Sequence, residues 1–359
     1  GNMIKDDVVL RDAIHYSNLA EPINARVEGY VYLVGYNADG TRYIDTNNGL
    51  DTPYVAYETK NVSLTGTEGD VEMRYTIKDS GQYATRDLVV CERVFMTDVA
   101  GTQSQQPFLS DGRIKDKYGN YTWSLISEGN GIANPKYQTN DDGHIDVLIA
   151  LHEDINDEMQ TVSIPNIETH LVNRHEGTDY KVVSRQYDDV TLYDIVTYTN
   201  VKPNMPWTVT ATLMDQATGT PVLDADGNVV TGQVTFTPTQ KNGTIEVPIT
   251  FKQSLVGLDW ESNPSWVCFE ELKLGNLGNT DITYTLHNNI YDERQTVHLP
   301  TFRTTVTSTV ADPANTATVS ANDRQIQATP NQTVTDTVEI KNVGLDTVIK
   351  SDLDDMDLT

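Results

Sequence analysis

The sequence predicts an all-β protein made of successive β-sandwich domains. In segments such as WTVTATLMD from Trp207 and TIEVPITF from Thr244, β-branched and aromatic residues alternate with polar ones, which is typical of strands with one buried face. Turn sequences, including DADGN from Asp224 and KNG from Lys241, separate these segments at the spacing of hairpins in a sandwich. The sequence lacks helical periodicity of any length, so we expect sheets packed on sheets.

A long repeat marks the end of two sequence blocks. The segment LHEDINDEMQTVSIP from Leu151 recurs as LHNNIYDERQTVHLP from Leu286, and both copies carry His and Gln-Thr-Val at the same places. The distance between the copies is about the length of one domain. This spacing indicates two related domains in tandem.

Two shorter repeats mark the beginning of the blocks. The segments LRDAIHYSNL from Leu10, LYDIVTYTNV from Leu192 and VTDTVEIKNV from Val334 each place an Asp before an Asn at the same spacing. The segment PNIETHL from Pro165 recurs as PTFRTTV from Pro300. Self-similarity at a domain-sized period indicates tandem copies of one structural unit.

These repeats divide the chain into three domains. Residues 166–300 contain an opening Thr strand, an Asp strand and a closing His–Gln strand, so this domain is complete. Residues 1–165 have the Asp and His–Gln elements but no Thr or Ser within residues 1–11, and they carry a polar insertion, 93–151, that we expect to form long loops. Residues 301–359 have only the Thr and Asp elements, which predicts the opening part of a third domain.

The composition argues against several classes of function. The chain has 52 acidic and 25 basic residues and a net charge of −27, which repels nucleic acid and anionic membranes. No apolar run is long enough to span a bilayer and the first residues do not form a signal peptide, so we expect the chain to be cut from a longer protein. Cys91 and Cys268 lie in different blocks, so we expect small core residues rather than a disulfide. DADGN lacks the distal Glu of an EF-hand, so we expect a hairpin turn there and neither a metal nor a cofactor.

Several polar side chains of the middle domain share a strand face with apolar residues, because residues two apart in a strand point the same way. His287 has threonines as face neighbours, but its counterpart His152 lines up with Leu148, which favours an inward orientation. A buried polar group without a partner costs about 1–3 kcal/mol, so these groups must meet one another. The other side chains predicted to point inward are Thr169, Asp194, Glu270 and Gln295.

Each of these residues alone has an ordinary structural explanation, since a buried Asp can bond backbone groups and His or Gln is common near a strand end. The occurrence of all five residues together, at matching strand positions, favours a chemical reaction between them instead. His removes the Thr proton, the alkoxide attacks the Gln carboxamide, a protonated acid of the neighbouring pair stabilises the oxyanion, and ammonia leaves. The product is an ester between two side chains.

At these motifs the chain resembles the ester-bond domains of Gram-positive surface adhesins, also described as VaFE repeats. The naming motif is VCFE at 267–270, and its counterpart in the first domain is VVCE at 89–92. The resemblance implies tandem immunoglobulin-like, collagen-adhesin-B-like β-sandwiches in the stalk of a cell-wall-anchored adhesin outside the cell. It also implies an intramolecular cross-link that resists force and proteolysis, formed in a single turnover and without enzymatic activity on other molecules.

The resemblance assigns roles to the middle domain. It implies that Thr169 bonds to Gln295, that His287 activates the threonine, and that Glu270 with Asp194 polarises the amide. His170 stands where the family often has a second threonine, and strand alternation favours Thr169 as the nucleophile. A hydrolase using the same groups is the weaker alternative, because a nucleophile buried against a glutamine leaves no room for a substrate.

The flanking domains match the pattern only in part. The first has Asp12, Glu92, His152 and Gln160 without an opening threonine, and the last has Thr304 or Thr305 with Asp336 but no Glu, His or Gln. Domains cut at these points explain both gaps, and the alternative is donation of the Thr304 strand to Gln160 of the next molecule. We otherwise expect a monomer whose partners are neighbouring repeats. A further alternative is a ligand-binding adhesin module, with its surface on the insertion of the first domain and a host ligand that the sequence does not identify.

Overall fold

The computed structural model describes residues 7–19, 22–99, 114–115, 121–122, 137–139, 145–183, 189–253, 264–275, 282–309, 318–319 and 333–344. Within these residues the regular elements are β-strands and short 3₁₀ turns, so the all-β prediction is confirmed. No helix in the described part of the chain is long and apolar enough to cross a membrane. The chain forms two compact units, one mainly from residues 3–166 and the other mainly from residues 167–198 and 203–359.

The described residues of the first unit form eleven strands. They are β1 (Val8–Ser17), β2 (Ile23–Tyr36), β3 (Arg42–Asp45), β4 (Ala56–Leu64), β5 (Glu68–Ile77), β6 (Asp87–Val99), β7 (Ile114–Lys115), β8 (Tyr121–Thr122), β9 (Tyr137–Thr139), β10 (Ile145–His152) and β11 (Thr161–Ser163). 3₁₀ turns lie at Ser80–Tyr83 and Glu158–Gln160. Strand β1 pairs with β5, and the larger sheet has the order β3-β2-β6-β10-β9, with β4 on β2 and β11 on β6.

Twelve strands lie in the described part of the second unit. They are β12 (Asn166–His175), β13 (Thr178–Tyr180), β14 (Asp189–Thr199), β15 (Trp207–Asp215), β16 (Thr231–Phe236), β17 (Gly243–Lys252), β18 (Ser265–Leu274), β19 (Ile282–His287), β20 (Thr296–His298), β21 (Thr301–Thr309), β22 (Thr318–Val319) and β23 (Thr333–Lys341). A 3₁₀ turn lies at Glu293–Gln295. The sheet orders are β13-β12-β14-β17, β16-β15-β18-β19 with β20 on β18, and β22-β21-β23.

Strand alternation explains the core of the second unit. In β14 and β15 every second residue is buried, because their apolar residues recur at the period of two that a pleated strand requires. The buried side chains of one sheet include Leu192 and Val247, and those of the other include Trp207 and Leu272. The inward face of β14 also carries Asp194, which therefore lies in this apolar interior.

The 93–151 insertion is only partly made of loops. Strand β6 continues to Val99 and β10 begins at Ile145, so regular structure enters the insertion from both sides. Between them the structure describes only three short strands, β7, β8 and β9. The loop prediction and the possible ligand-binding surface fall mainly on residues outside the described part of the chain.

The two cysteines and the DADGN segment behave as the sequence predicts. Cys91 and Cys268 are both buried and free of disulfide bonds. The backbone nitrogens of Asp226 and Asn228 donate to the carboxylate of Asp224, at 2.9 and 2.8 Å. These bonds form a tight turn between Leu223 and Val229, which face each other in an antiparallel bridge.

A close approach between the sheets of the second unit requires glycine at position 232. A β-carbon there would lie 2.4 Å from the backbone oxygen of Pro248 in β17, which cannot rotate away. We expect Gly232→Ala to lower the melting temperature, with a cost of about 1–3 kcal/mol from overpacking. Gly275→Ala is the matched control, because its nearest neighbour would be 3.8 Å away. Equal melting temperatures for both variants, measured by circular dichroism, would contradict this account.

Candidate functional site

Thr169 lies in the interior of the second unit. It is the central inward residue of β12, between Ile167 and Leu171, and only 1% of its surface is exposed. Its hydroxyl oxygen is 2.8 Å from Nδ1 of His287, and it donates to Oε2 of Glu270 at 3.1 Å. The strand face predicted from the sequence is therefore the one that the structure shows.

Gln295 meets Thr169 from the opposite end of the sequence. Its side chain is fully buried, and its Nε2 donates to both the Thr169 hydroxyl and Oε2 of Glu270. The secondary structure at this residue differs from our prediction: Gln295 is the last residue of a 3₁₀ turn and β20 begins after it. The turn still directs the side chain inward, because Asp292 accepts a hydrogen bond from the backbone of Arg294 and fixes the approach to β20.

Asp194 and Glu270 form a buried acidic pair beside this contact. Their exposed fractions are 0% and 1%, and their carboxyl oxygens lie within 4.8 Å of each other and of the Cys268 sulfur. Neither Asp194 oxygen, nor Oε1 of Glu270, has an aligned hydrogen-bond partner among the described residues. A proton held between the two acids would supply the missing bond, because a protonated carboxyl donates where a carboxylate only accepts.

Burial also sets the protonation of this pair. It raises the pKa of Asp194 to about 7, and it raises the pKa of Glu270 well above its usual range, with the neighbouring Asp194 charge acting in the same direction. Two like charges in a dry interior cannot both persist. The pair therefore retains a proton at neutral pH.

Burial shifts the pKa of His287 in the opposite direction. Burial lowers the pKa of its imidazole, so the ring is neutral at neutral pH and Nδ1 is available to accept a proton from Thr169. Its Nε2 is 3.0 Å from the Asp292 carboxylate, although the angle there is poor for a hydrogen bond. Asp292 thus restrains the ring while it also caps the turn that carries Gln295.

Two supporting residues were not identified from the sequence. Asp292 has an identical counterpart, Asp157, in the repeated segment, and that identity was the available signal. No feature of the sequence pointed to Lys181. Its Nζ donates to the backbone oxygens of Leu171 and Arg294, and these two bonds link β12 to the 3₁₀ turn that ends at Gln295. Partial burial lowers the pKa of Lys181 to about 8, because the ammonium is in part removed from water.

The described residues of the first unit include a group of side chains related to this site. His152 pairs with Glu92 in the same way that His287 pairs with Glu270. His152 is 3.7 Å from Glu92 and 3.1 Å from Asp157, close to the distances around His287. Burial, with a hydrogen bond to Asp12, raises the pKa of Glu92 to about 10.

The two sites differ in their exposure. The His152 side chain is 43% exposed, whereas that of His287 is 5% exposed. Gln160 ends a 3₁₀ turn, as Gln295 does, but it is only half-buried. The first unit therefore has an acid pair, an imidazole and a glutamine like those of the second unit, but its imidazole and glutamine are more exposed to solvent.

The predicted site residues of the last block lie in the sheet of β21 and β23. Thr304 and Thr305 are exposed in β21, which pairs with β23, and Asp336 of β23 is opposite Val306. Among the described residues of 301–344 there is no Glu, His or Gln arranged around Thr304 as at Thr169. The structure therefore places Thr304 in a sheet without a surrounding site.

Comparison with known proteins identifies the repeated unit. The family model described as T-Q ester bond containing domain matches residues 3–164 and again residues 165–299. No curated protein matches the chain.

Structural similarity to solved proteins is low. Two crystal forms of a bacterial adhesin from Mobiluncus mulieris, which contains intramolecular disulfide, isopeptide and ester bond cross-links, match with TM-scores of 0.29 and 0.30 and sequence identities of 11% and 12%. Each match covers 49% of this chain and 76% of the adhesin chain. The type II cohesin dyad from the adaptor ScaA scaffoldin of Acetivibrio cellulolyticus matches with a TM-score of 0.17 and 11% identity, over 78% of this chain and 93% of that one. The family assignment accordingly depends on the family model and not on these structures.

The acid pair predicts a pH dependence of stability. Its pKa values are raised in the folded state, so between the usual carboxyl range and about pH 7 the folded protein holds a proton that the unfolded chain has lost. Stability from this pair is therefore lost as the pH rises through that window. We expect the melting temperature of Thr169→Val, which removes the nucleophile but keeps its shape, to fall between about pH 5 and about pH 8.

The double variant Thr169→Val/Glu270→Gln isolates this contribution. In this variant one of the two carboxyl groups is replaced by an amide that does not titrate. Less of its stability is therefore linked to a bound proton, and its melting temperature should fall less over the same pH interval. The remaining charges of the chain are common to both variants and cancel in the difference. Parallel melting curves against pH for the two variants would show that the acids do not share a proton.

Proposed function

We propose that this chain, which belongs to the family of T-Q ester bond containing domains, is a stalk segment of a bacterial cell-surface adhesin. In this proposal the protein is extracellular and anchored to a Gram-positive cell wall through parts of the adhesin beyond this sequence. Its second unit is stabilised by an ester between Thr169 and Gln295. The observation that carries the proposal is the buried contact of this hydroxyl with this carboxamide, beside an imidazole nitrogen at 2.8 Å.

The first step is activation of the nucleophile. His287 is neutral because burial lowers its pKa, so it accepts the hydroxyl proton of Thr169 through Nδ1. The threonine oxygen, which already accepts a hydrogen bond from the amide nitrogen of Gln295, then attacks the side-chain carbonyl carbon of the same carboxamide. A tetrahedral intermediate with a negative oxygen results.

Glu270 supplies the acid for the second step. Its raised pKa keeps it protonated, and its Oε2 lies against the Gln295 carboxamide. In the present orientation it faces the amide nitrogen, whereas Oε1 of Gln295 has no partner among the described residues. A half-turn of the carboxamide exchanges the two atoms, so that the carboxyl proton stabilises the oxyanion.

The reaction ends with loss of ammonia. The bond between the Gln295 carbonyl carbon and its nitrogen breaks as the ester carbon–oxygen bond is completed. The departing nitrogen takes up the proton that His287 removed from Thr169 and leaves as ammonia, so the protons balance. Because both reacting groups are consumed, the site works once and has no turnover on other molecules.

Exclusion of water preserves the product. Thr169, Gln295 and Glu270 are all at most 1% exposed, and the flanking inward residues Ile167 and Leu171 are apolar. An ester in this interior is separated from the water that would hydrolyse it. The same burial explains why an external substrate has no path to the nucleophile.

The position of the cross-link suits a mechanical role. Thr169 lies in the first strand of the domain and Gln295 just before its last strand, 126 residues later. By analogy with disulfides, closing such a loop removes about 4–5 kcal/mol of chain entropy from the unfolded state. Force applied to the two ends would pass through covalent bonds and bypass the sandwich.

Intact mass spectrometry tests the chemistry. We expect the full chain to be lighter than its calculated mass by one ammonia for the Thr169–Gln295 bond, and Thr169→Val to have the calculated mass. Thr169→Ser is the matched control, because it keeps the hydroxyl and should still lose ammonia. A wild-type chain at the calculated mass, or a deficit that persists in Thr169→Val, would overturn the assignment.

Single-molecule stretching tests the mechanical role. When pulled through residues 166 and 300, the wild-type unit should resist without extending. Thr169→Val should unfold and release the 126-residue separation, on the order of 400 Å of additional contour length. If both proteins show the same extension, the cross-link does not carry force and the stalk proposal fails.

A further inference from the structure

The asparagine of the strand repeat has the same backbone conformation in all three copies. Asn18, Asn200 and Asn342 each stand six residues after the repeated Asp and directly follow the last residue of β1, β14 or β23. Their φ angles are 61°, 60° and 58°, in the left-handed region that asparagine adopts more readily than most residues. The repeat therefore includes a turn at the end of the strand, and the residue at that turn carries an amide.

In the second unit this amide bonds the end of the 166–300 domain. Nδ2 of Asn342 donates to the backbone oxygens of Pro264 and Leu299, which lie just outside β18 and β20 where these two strands pair. The backbone nitrogen of Leu299 donates to the same Pro264 oxygen at 3.1 Å. The amide thus extends the hydrogen bonding of this strand pair beyond its last residues.

The first unit contains the same arrangement around Asn200. Residues 199–202 belong to this compact unit. Nδ2 of Asn200 donates to the backbone oxygen of Arg86 at 3.1 Å, and that oxygen also accepts from the backbone nitrogen of Ile164 at 3.0 Å. Like the residues bonded by Asn342, Arg86 and Ile164 lie just outside a strand pair, here β6 and β11. The same contact therefore occurs twice in the chain.

A buried polar side chain at the start of the longer strand supplies a further bond in each unit. Asp87 is 3% exposed and accepts from Nδ2 of Asn200 at 2.9 Å. At the matching position Ser265 is 5% exposed and donates to Oδ1 of Asn342 at 3.4 Å, while its oxygen is 2.9 Å from Nδ1 of His298. The two side chains differ in chemistry, yet both bond the amide.

The atoms around the amide nitrogen select an amide over a carboxylate. Nδ2 of Asn342 faces two carbonyl oxygens, and Nδ2 of Asn200 faces a carbonyl oxygen and a carboxylate. An aspartate could adopt the same backbone conformation, but it would bring a negative charge against acceptors and would donate no hydrogen bond. The surface therefore recognises a hydrogen-bond donor on this turn.

The residues that follow Asn342 also lie against this surface. Gly344 has a φ angle of 74°, and a β-carbon there would be 2.8 Å from Cδ2 of His298. The backbone at Gly344 is therefore in close contact with the imidazole. A polar contact at Asn342 and a steric contact at Gly344 hold the same turn on the end of the domain.

We propose that the asparagine after the Asp strand is a docking residue, which binds a repeat to the end of the domain that precedes it along the chain. The surface that it recognises is the end of the last strand pair of that domain, with its backbone oxygen and its buried polar side chain. The partner is the next repeat of the same chain. The proposal goes beyond the ester chemistry and does not require the bond between Thr169 and Gln295. In a stalk, such contacts limit bending between successive repeats.

Distances measured by pulsed electron paramagnetic resonance test the docking in the second unit. Nitroxide labels on Thr231→Cys and Val338→Cys of the full chain report on the 166–300 domain and on β23, because both positions are exposed and the native cysteines are buried. We expect a single narrow distance in this labelled parent protein. Asn342→Asp should lose the narrow distance and give a broad distribution, because the docked turn loses its donor.

Asn342→Gly is a second variant, because glycine keeps the left-handed turn and removes the amide, and it should broaden the distribution as well. Asn289→Asp is the matched control, because it adds the same charge at a side chain whose oxygen accepts from the backbone of Tyr291, a bond that aspartate keeps. A narrow distance that persists in either Asn342 variant, or equal broadening in the control, would overturn the proposal.

The ammonia deficit of each protein is read by mass spectrometry before labelling. It reports whether the Thr169–Gln295 ester has formed, whereas the distance distribution reports whether the turn at Asn342 is docked. Failure of the docking proposal is therefore distinguishable from failure of the proposed function.

Discussion

The contact between the Thr169 hydroxyl and the Gln295 carboxamide inside a dry core is the feature on which the second unit depends. The strands that carry these residues are apolar on the same face, so folding brings the polar groups into a place without water. Each would destabilise the fold if left alone. Together with His287 and the two acids they satisfy part of one another's hydrogen bonding, and the bonds left unmade are the ones that a shared proton and a reaction would supply.

One physical cause, burial, prepares both the base and the acid. It lowers the pKa of His287 and raises the pKa of Asp194 and Glu270, because in each case it disfavours the charged form. A neutral imidazole and a protonated carboxyl then stand on either side of the reacting atoms. Proton transfer within the group therefore needs no external acid or base, which is consistent with a site that reacts once during or after folding.

The sequence predicted the residues that strand geometry controls and missed those that tertiary contacts control. Alternation placed Thr169 and Asp194 inward because a strand has a period of two, and the repeat located His287 and Gln295. The sequence did not predict the 3₁₀ turn that ends at Gln295, because a turn of three residues is too short to produce a periodic pattern. The sequence does not predict the role of Lys181, because that role depends on two backbone oxygens that only the folded chain brings together.

The two histidines differ in exposure although their polar neighbours are alike. His287 and His152 stand at nearly the same distances from their glutamate and aspartate, so the two units share the framework of the site. The side chain of His287, in contact with Thr169 of β12, is 5% exposed, whereas that of His152 is 43% exposed. In the second unit, β12 therefore carries the Thr169 hydroxyl and also helps to keep water from the site, so one strand serves both the proposed reaction and the protection of its product.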